Sequence, residues 1–216
     1  MAITQVQLAS LYDSNIYLIS GSEKTALVDT GTGFASDAIC SSLQKLLAGR
    51  HLDMVFLTHR HFDHVGGLEA IIDMFHPDDV YAGHRDAEPL RQGDSESTLG
   101  VNFGGSIPML DVTDVRDGDI FDLGGHRLRV IETPGHTVGS ICILDETSQS
   151  LFSGDTFFFN GYGRCDHPTG SIGDLIVSLK KLKNYQFKSL YPGHGPSIKD
   201  NGRDCLDKAI IAAGAQ

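Results

Sequence analysis

The sequence predicts an α+β protein in which two β-sheets pack face to face while helices cover their outer sides. Two observations lead there. Short apolar β-runs bounded by Gly, Pro, Asn and Asp recur along the chain, and stretches of helical periodicity follow them in two successive series, about 1–110 and 111–216. The length agrees, because a chain of 216 residues buries roughly 70% of its unfolded surface and supports one domain spanning 1–216. Such a chain needs neither a disulfide nor a structural metal to fold. A metal bound to it is therefore expected to serve chemistry.

Residues 4–8 (TQVQL), 15–19 (NIYLI) and 25–29 (TALVD) read as short strands joined as hairpins. Between Phe34 and Leu47 the apolar residues Ala38, Ile39, Leu43, Leu46 and Leu47 recur at helical spacing, and a β-run from Met54 to Leu57 follows. Val65 to Phe75 predicts a second helix, and its glycines Gly66 and Gly67 point to close packing near its start. Val80 and Tyr81 give a brief strand. From Gly83 to Gly118 no period is visible, so this segment is either a surface linker or a lid over a site. β-runs resume at 120–123, 128–132, 140–144 and 151–153. Ser171 to Leu182 is an amphipathic helix, with Ser171 and Asp174 placed as in a capping box. A strand at 189–191 and a helix around 205–212 come last.

Charge narrows the function. Asp plus Glu number 28 against 17 Lys plus Arg, a net charge of −11 that repels a phosphate backbone. Nucleic acid is not an expected partner; a small-molecule substrate is. The first fifteen residues lack a basic n-region and an apolar h-region, and no run approaches eighteen apolar residues. These features predict a cytoplasmic protein without a membrane partner. Cys40, Cys142, Cys165 and Cys205 form no C-x-x-C pair and read as reduced thiols without function. The oligomeric state is not legible.

The dominant chemical signal is Thr58-His59-Arg60-His61-Phe62-Asp63-His64, between a strand and a helix. His59 and His61 point the same way while the chain is extended, whereas Asp63 and His64 lie past the bend. Other strand ends repeat the device: TPGHT at 133–137, GDT at 154–156, PGHG at 192–195 and DTG at 29–31. In each, an apolar run stops, the chain turns, and a His or Asp emerges. Neighbouring strand ends share a rim, so these groups can converge. Five histidines and two aspartates suit two divalent ions, zinc first, with iron or manganese as alternatives. His59, His61 and His136 are expected on one ion and Asp63, His64 and His194 on the other, with Asp155 as the bridge. Two such ions would share a hydroxide at neutral pH.

With LVDTG at 27–31, THRHFDH at 58–64, TPGHTVGS at 133–140, FSGDT at 152–156 and YPGHG at 191–195, the chain resembles the metallo-β-lactamase-fold superfamily. That resemblance implies an αββα four-layer sandwich, two mixed sheets with helices outside, and a dinuclear site on one edge. Within the superfamily the chain looks most like the glyoxalase II-like hydrolases. Asp155 stands where true β-lactamases tend to carry Cys, and GYGRCDHPTGS at 161–171 is similar to the loop after GDT in that group. Glyoxalase II proper holds glutathione with a long helical tail after its last metal histidine. Here 22 residues follow His194, so the resemblance is to the short relatives.

The expected reaction is attack of a metal-bridging hydroxide on a thioester or related ester. Asp63 is either a ligand alone or also the group that returns a proton to the leaving group. Asp29 and Thr58 are expected to orient the ligands, although Asp29 also fits an ordinary turn carboxylate. Tyr162 either lines the substrate cleft or packs beneath it. Arg164 either clamps a substrate carboxylate or pairs with Asp166. His51, His76, His84, His126 and His167 read as surface or structural. The main alternative is a persulfide dioxygenase-like oxidoreductase with one iron on His59, His136 and Asp155. A two-metal nuclease is disfavoured by charge, and a metal-free module would need these groups only as turn caps.

Overall fold

The protein is described by a computed structural model covering residues 2–8 and 10–214. The first sheet contains β1 (Ala2–Gln5), β2 (Tyr17–Ser20), β3 (Thr25–Val28), β4 (Met54–Leu57), β5 (Asp79–Gly83) and β6 (Thr113–Val115), side by side in chain order. β1 to β3 pair antiparallel, and the pairs from β3 to β6 are parallel. The second sheet contains β7 (Ile120–Asp122), β8 (Arg127–Glu132), β9 (Ile141–Asp145), β10 (Ser150–Gly154) and β13 (Ser189–Pro192), in the order β13-β10-β9-β8-β7. Its β10–β13 pair is parallel and the rest antiparallel. A small hairpin, β11 (Phe157–Phe158) and β12 (Gly161–Tyr162), stands apart.

Side-chain alternation sorts the strands into layers. Tyr17, Ile19, Ala26, Val28, Met54 and Phe56 of the first sheet meet Leu128, Val130, Ile141, Ile143 and Phe152 of the second in a core between the sheets. The alternate residues Leu18, Leu27, Val55 and Leu57 face outward against α1 (Ser36–Leu47), α3 (Leu68–Phe75) and α4 (His84–Gln92). On the other side Ile131, Cys142, Leu144 and Leu151 pack under α5 (Ile172–Leu182) and α6 (Gly202–Ala212). The result is the αββα sandwich. Each fully buried Leu, Ile or Phe in these layers contributes about 1.5–3 kcal/mol of transfer free energy. Ser171 caps α5, its hydroxyl accepting from the Asp174 amide.

Three local expectations change. The helix predicted over 65–75 starts earlier, as α2 (Phe62–Val65), and breaks at Gly66 and Gly67 before α3. A Cβ on either glycine would collide with the carbonyl oxygens of Thr32 or Thr30, so the pair lets this turn press on the loop after β3. The Gly83–Gly118 segment holds α4, a 3-10 turn at Gly100–Phe103 and β6 rather than irregular chain. α4 shows no helical period in the sequence because only Asp86, Ala87 and Leu90 are buried in it and Pro89 reads as a breaker. The first strand lies at 2–5 instead of 4–8, paired with β2.

Candidate metal centre

β3, β4, β8, β10 and β13 run in a common sense within their sheets, so the segments that follow them meet along one edge. After β4 the chain bends at Thr58 and His59 rather than continuing extended, passes through an extended His61 and turns into α2, which carries Asp63 and His64. His136 follows β8, Asp155 follows β10 and His194 follows β13. Glycines let these segments touch. Gly154 has φ +48°, and a Cβ there would strike Thr58, while one on Gly193 would strike Asp155 and His64.

The ligand atoms form three overlapping groups, each within 4.8 Å: His59, His61 and His136; His59, His64 and Asp155; Asp63, His64 and His194. His136 Nε2 lies 2.8 Å from His61 Nδ1 and 3.2 Å from His59 Nε2. Asp155 turns Oδ1 to His64 Nε2 at 3.4 Å, and Oδ2 lies 3.7 Å from Nε2 of both His136 and His194. His194 Nε2 also meets Asp63 Oδ2 at 3.0 Å.

Surrounding groups fix which ring nitrogens face inward. His136 Nδ1 donates to the Arg164 carbonyl at 2.7 Å, which leaves Nε2 as a bare acceptor. His64 Nδ1 donates to Asp29 Oδ2 at 2.8 Å. Asp29 also accepts from the Thr58 amide and hydroxyl, and Thr58 Oγ1 lies 3.2 Å from His59 Nδ1. Asp29 holds φ +60°, a left-handed conformation costing a non-glycine residue roughly 1–2 kcal/mol. Its three hydrogen bonds offset that strain.

Burial, reinforced by the neighbouring imidazoles, pushes His59 well below the usual 6.5. Burial and His136 push His61 down to about 2, and burial lowers His136 although Asp155 opposes it. These three rings are neutral nitrogen donors. For His64 burial pulls down, but the carboxylates of Asp29, Asp155 and Asp63 outweigh it and hold the ring well above 6.5. Burial likewise opposes the rise at His194, which its bond to Asp63 and the charge of Asp155 produce. Burial would raise Asp155, yet His64 and then His136 hold it far below the ordinary carboxylate range.

The donor set fits divalent cations on this protein's own geometry. His64 Nε2 and Asp155 Oδ1 are buried, face each other, and have no hydrogen-bond partner. Three imidazole nitrogens crowd together beside them, with His136 Nε2 2.8 Å from His61 Nδ1 and 3.2 Å from His59 Nε2. Buried polar atoms without partners are costly, and a shared cation removes that cost.

A cavity of about 500 Å³ opens over these groups, with Leu99, Asn102 and Phe103 on one wall and Phe158 and Tyr162 on another. The Gly83–Gly118 segment thus forms a wall of the site. Tyr162 both lines the cavity and packs against the outer core of the second sheet. Arg164 pairs with Asp166 at 2.8 Å, and its carbonyl rather than its guanidinium touches the ligand cluster. His167, which the sequence marks only as surface or structural, lines the cavity with its ring 5.4 Å from that of His61. His126 is buried against Asp145 at 2.6 Å, away from the site. Asn15 and Tyr17, which no motif marked, hold the YPGHG turn by donating to the Pro192 carbonyl at 2.9 and 2.8 Å. Asp86 likewise has no spacing relation to any ligand motif.

Among the described residues no helix is long and apolar enough to cross a membrane. The family model of the metallo-beta-lactamase superfamily matches residues 10–194. A probable metallo-hydrolase of Methanocaldococcus jannaschii is 33% identical over 192 residues, covering 85% of this chain and 88% of its own. A Ruegeria pomeroyi hydroxyacylglutathione hydrolase is 35% identical over 184 residues, covering 84% and 62% respectively. A Homo sapiens acyl-coenzyme A thioesterase is 33% identical over 209 residues, covering 84% and 72%. The chain therefore spans most of the archaeal relative but less than two thirds of the hydroxyacylglutathione hydrolase. Among solved structures, TTHA1623 in a di-iron-bound form is 28% identical with a TM-score of 0.72, covering 95% of this chain and 96% of its own. With a family match over most of its length, a sandwich of the same fold and a His/Asp cluster suited to metal, this chain belongs to the metallo-β-lactamase superfamily.

Proposed function

We propose that the protein is a dinuclear metal-dependent hydrolase of thioesters or related esters, glyoxalase II-like, with zinc as its ion. The carrying observation is the convergence of seven side chains, five of them lining one cavity, around two buried atoms without hydrogen-bond partners, His64 Nε2 and Asp155 Oδ1. In this reading His59, His61 and His136 hold one ion, and Asp63, His64 and His194 the other. Asp155 lies between them, presenting one oxygen to His64 and the other to His136 and His194. Bound there, the ions would supply a nucleophile from water at neutral pH and polarise a carbonyl.

The chain's own groups do the rest. Asp29 and the Arg164 carbonyl keep the inward nitrogens of His64 and His136 free of protons when the rings are neutral. Leu99, Phe103 and Phe158 give an acyl group an apolar wall, and Asn102 offers it an amide. Asp63 keeps 18% of its side chain exposed to the cavity, so it can hand a proton to a departing thiolate or alkoxide. A hydroxyacylglutathione hydrolase and an acyl-coenzyme A thioesterase among the relatives support an acyl substrate. The whole chain acts as one domain on a small molecule, not on nucleic acid or a membrane. Its four free cysteines suit the reducing cytoplasm.

The test is a metal-loaded assay across S-lactoylglutathione, simple thioesters, lactones and a β-lactam. Thioester turnover without β-lactam turnover is expected; the opposite ranking refutes the assignment. A mononuclear iron oxidoreductase would use His59, His136 and Asp155 and leave His61, Asp63, His64 and His194 without a role. One iron per chain with oxygen uptake on glutathione persulfide would replace the hydrolase reading by that one.

A further inference from the structure

The three-histidine group poses a mechanical problem. Within it the only close contacts are His136 Nε2 with His61 Nδ1 at 2.8 Å and with His59 Nε2 at 3.2 Å, so the register of the three rings depends on what holds the two loops that carry them. His59 is steadied by Thr58 and His136 by the Arg164 carbonyl. The His61 ring has only His136 Nε2 as a hydrogen-bond neighbour, so its place depends on how the backbone of 60–62 is anchored. One anchor is the Phe62 amide, which donates to the Thr98 carbonyl at 2.8 Å. The other is Asp86.

Asp86 lies in the first turn of α4 and is fully buried. Its Oδ2 accepts from the Arg60 amide at 3.0 Å and from Thr137 Oγ1 at 2.6 Å. Its Oδ1 accepts from the Gly139 amide at 3.0 Å and lies 3.3 Å from Arg60 Nε. Arg60 separates His59 from His61, and Thr137 follows His136. A single carboxylate therefore grips, from outside the ligand cluster, both loops that supply the group, one from each sheet. Gly139 has no room for a Cβ against Asp86, so the contact is close as well as polar.

Building on the dinuclear reading above, we propose that Asp86 is a positioning residue: it clamps the His59–His61 loop to the His136 loop and so preforms the three-histidine site. Both oxygens face donors. In Asp86→Asn one of them becomes an amide that also donates, which pushes the loops apart with little change in volume. Loss of such an outer partner typically costs roughly 10–100-fold in metal affinity.

The experiment strips wild type and Asp86→Asn of metal and titrates each with Co²⁺ against a competing chelator. The visible cobalt bands, the number of ions retained and the circular dichroism of the fold are recorded together. Wild type is expected to take two ions. Asp86→Asn should remain folded, keep one, weaken the other by roughly 10–100-fold and show altered bands. Thr137→Val should act in the same direction and Thr137→Ser should behave as wild type. A folded Asp86→Asn protein with two ions at wild-type affinity overturns the inference. If that variant does not fold, the Thr137 pair decides: loss in the Val variant alone upholds the clamp, and equal binding by both refutes it. Wild type that takes no cobalt defeats the dinuclear reading, and the clamp with it.

Discussion

His59, His61 and His136 are each at most 4% exposed and neutral, whereas across Asp155 the Asp63–His64–His194 group carries charge and leaves 39% of the His194 side chain exposed. The charged group attracts itself: Asp63 Oδ2 lies 3.0 Å from His194 Nε2 and 3.8 Å from His64 Nε2. The neutral group must be held from outside by Thr58, the Arg164 carbonyl and Asp86. The difference suggests a division of labour within the site. On the proposed dinuclear reading the more buried three-histidine half would retain its ion more tightly, although His61 and His136 line the cavity together with Asp63 and His194.

Removing the residue that joins the halves gives the largest effect. Asp155→Ala should lower kcat/KM by about three orders of magnitude and cut the bound metal to one ion or fewer. Kinetics together with metal analysis checks this, and near-normal turnover would mean the halves do not work together.

Separating the halves comes next. His136→Ala should lose the tightly held ion, while His194→Ala should keep it and lose an ion that chelator removes readily. Chelator competition on the two variants measures this. The same order of loss in both would erase the proposed distinction.

A third test uses pH on metal-free protein. His59, His61 and His136 have folded-state values below the unfolded 6.5, so the unfolded chain binds more protons as pH falls beneath that value. Each of the three can remove up to about 1.4 kcal/mol per pH unit. His64 has the opposite sign: its value is raised, so its contribution is complete below 6.5 and fades only as pH rises. Net stability should therefore drop between pH 6.5 and 5, read from urea midpoints. A flat or rising midpoint would show that the three-histidine half is not the neutral cluster described.

The smallest effect concerns the residue between the halves. Phe62 separates His61 from Asp63, and a Cβ on Gly105 would collide with its ring. Gly105→Ala should destabilise the fold by about 1–3 kcal/mol and raise KM more than it lowers kcat. Thermal unfolding and steady-state rates test the two claims separately, and an unchanged KM would detach this wall from substrate binding.

The sequence by itself determined the two series of strands and helices and which His and Asp side chains cluster at the strand ends. Each ligand motif is local: an apolar run ends, a small residue turns the chain, and a His or Asp follows within a few positions, as in TPGHT and YPGHG. What only the tertiary structure decided is whatever depends on a distant partner. Strands such as Ile141–Asp145 are buried on both faces, so no polar alternation reveals which side meets the other sheet. Gly66 and Gly67 break a helix because Thr30 and Thr32 lie against them. Arg164 meets the cluster through its backbone carbonyl, while its guanidinium turns to Asp166. Asp86 sits in a charged, proline-containing helix with almost no apolar stripe, and its importance comes from two loops reaching it from opposite sheets. Local sequence encodes where a side chain leaves the backbone; packing decides what it meets.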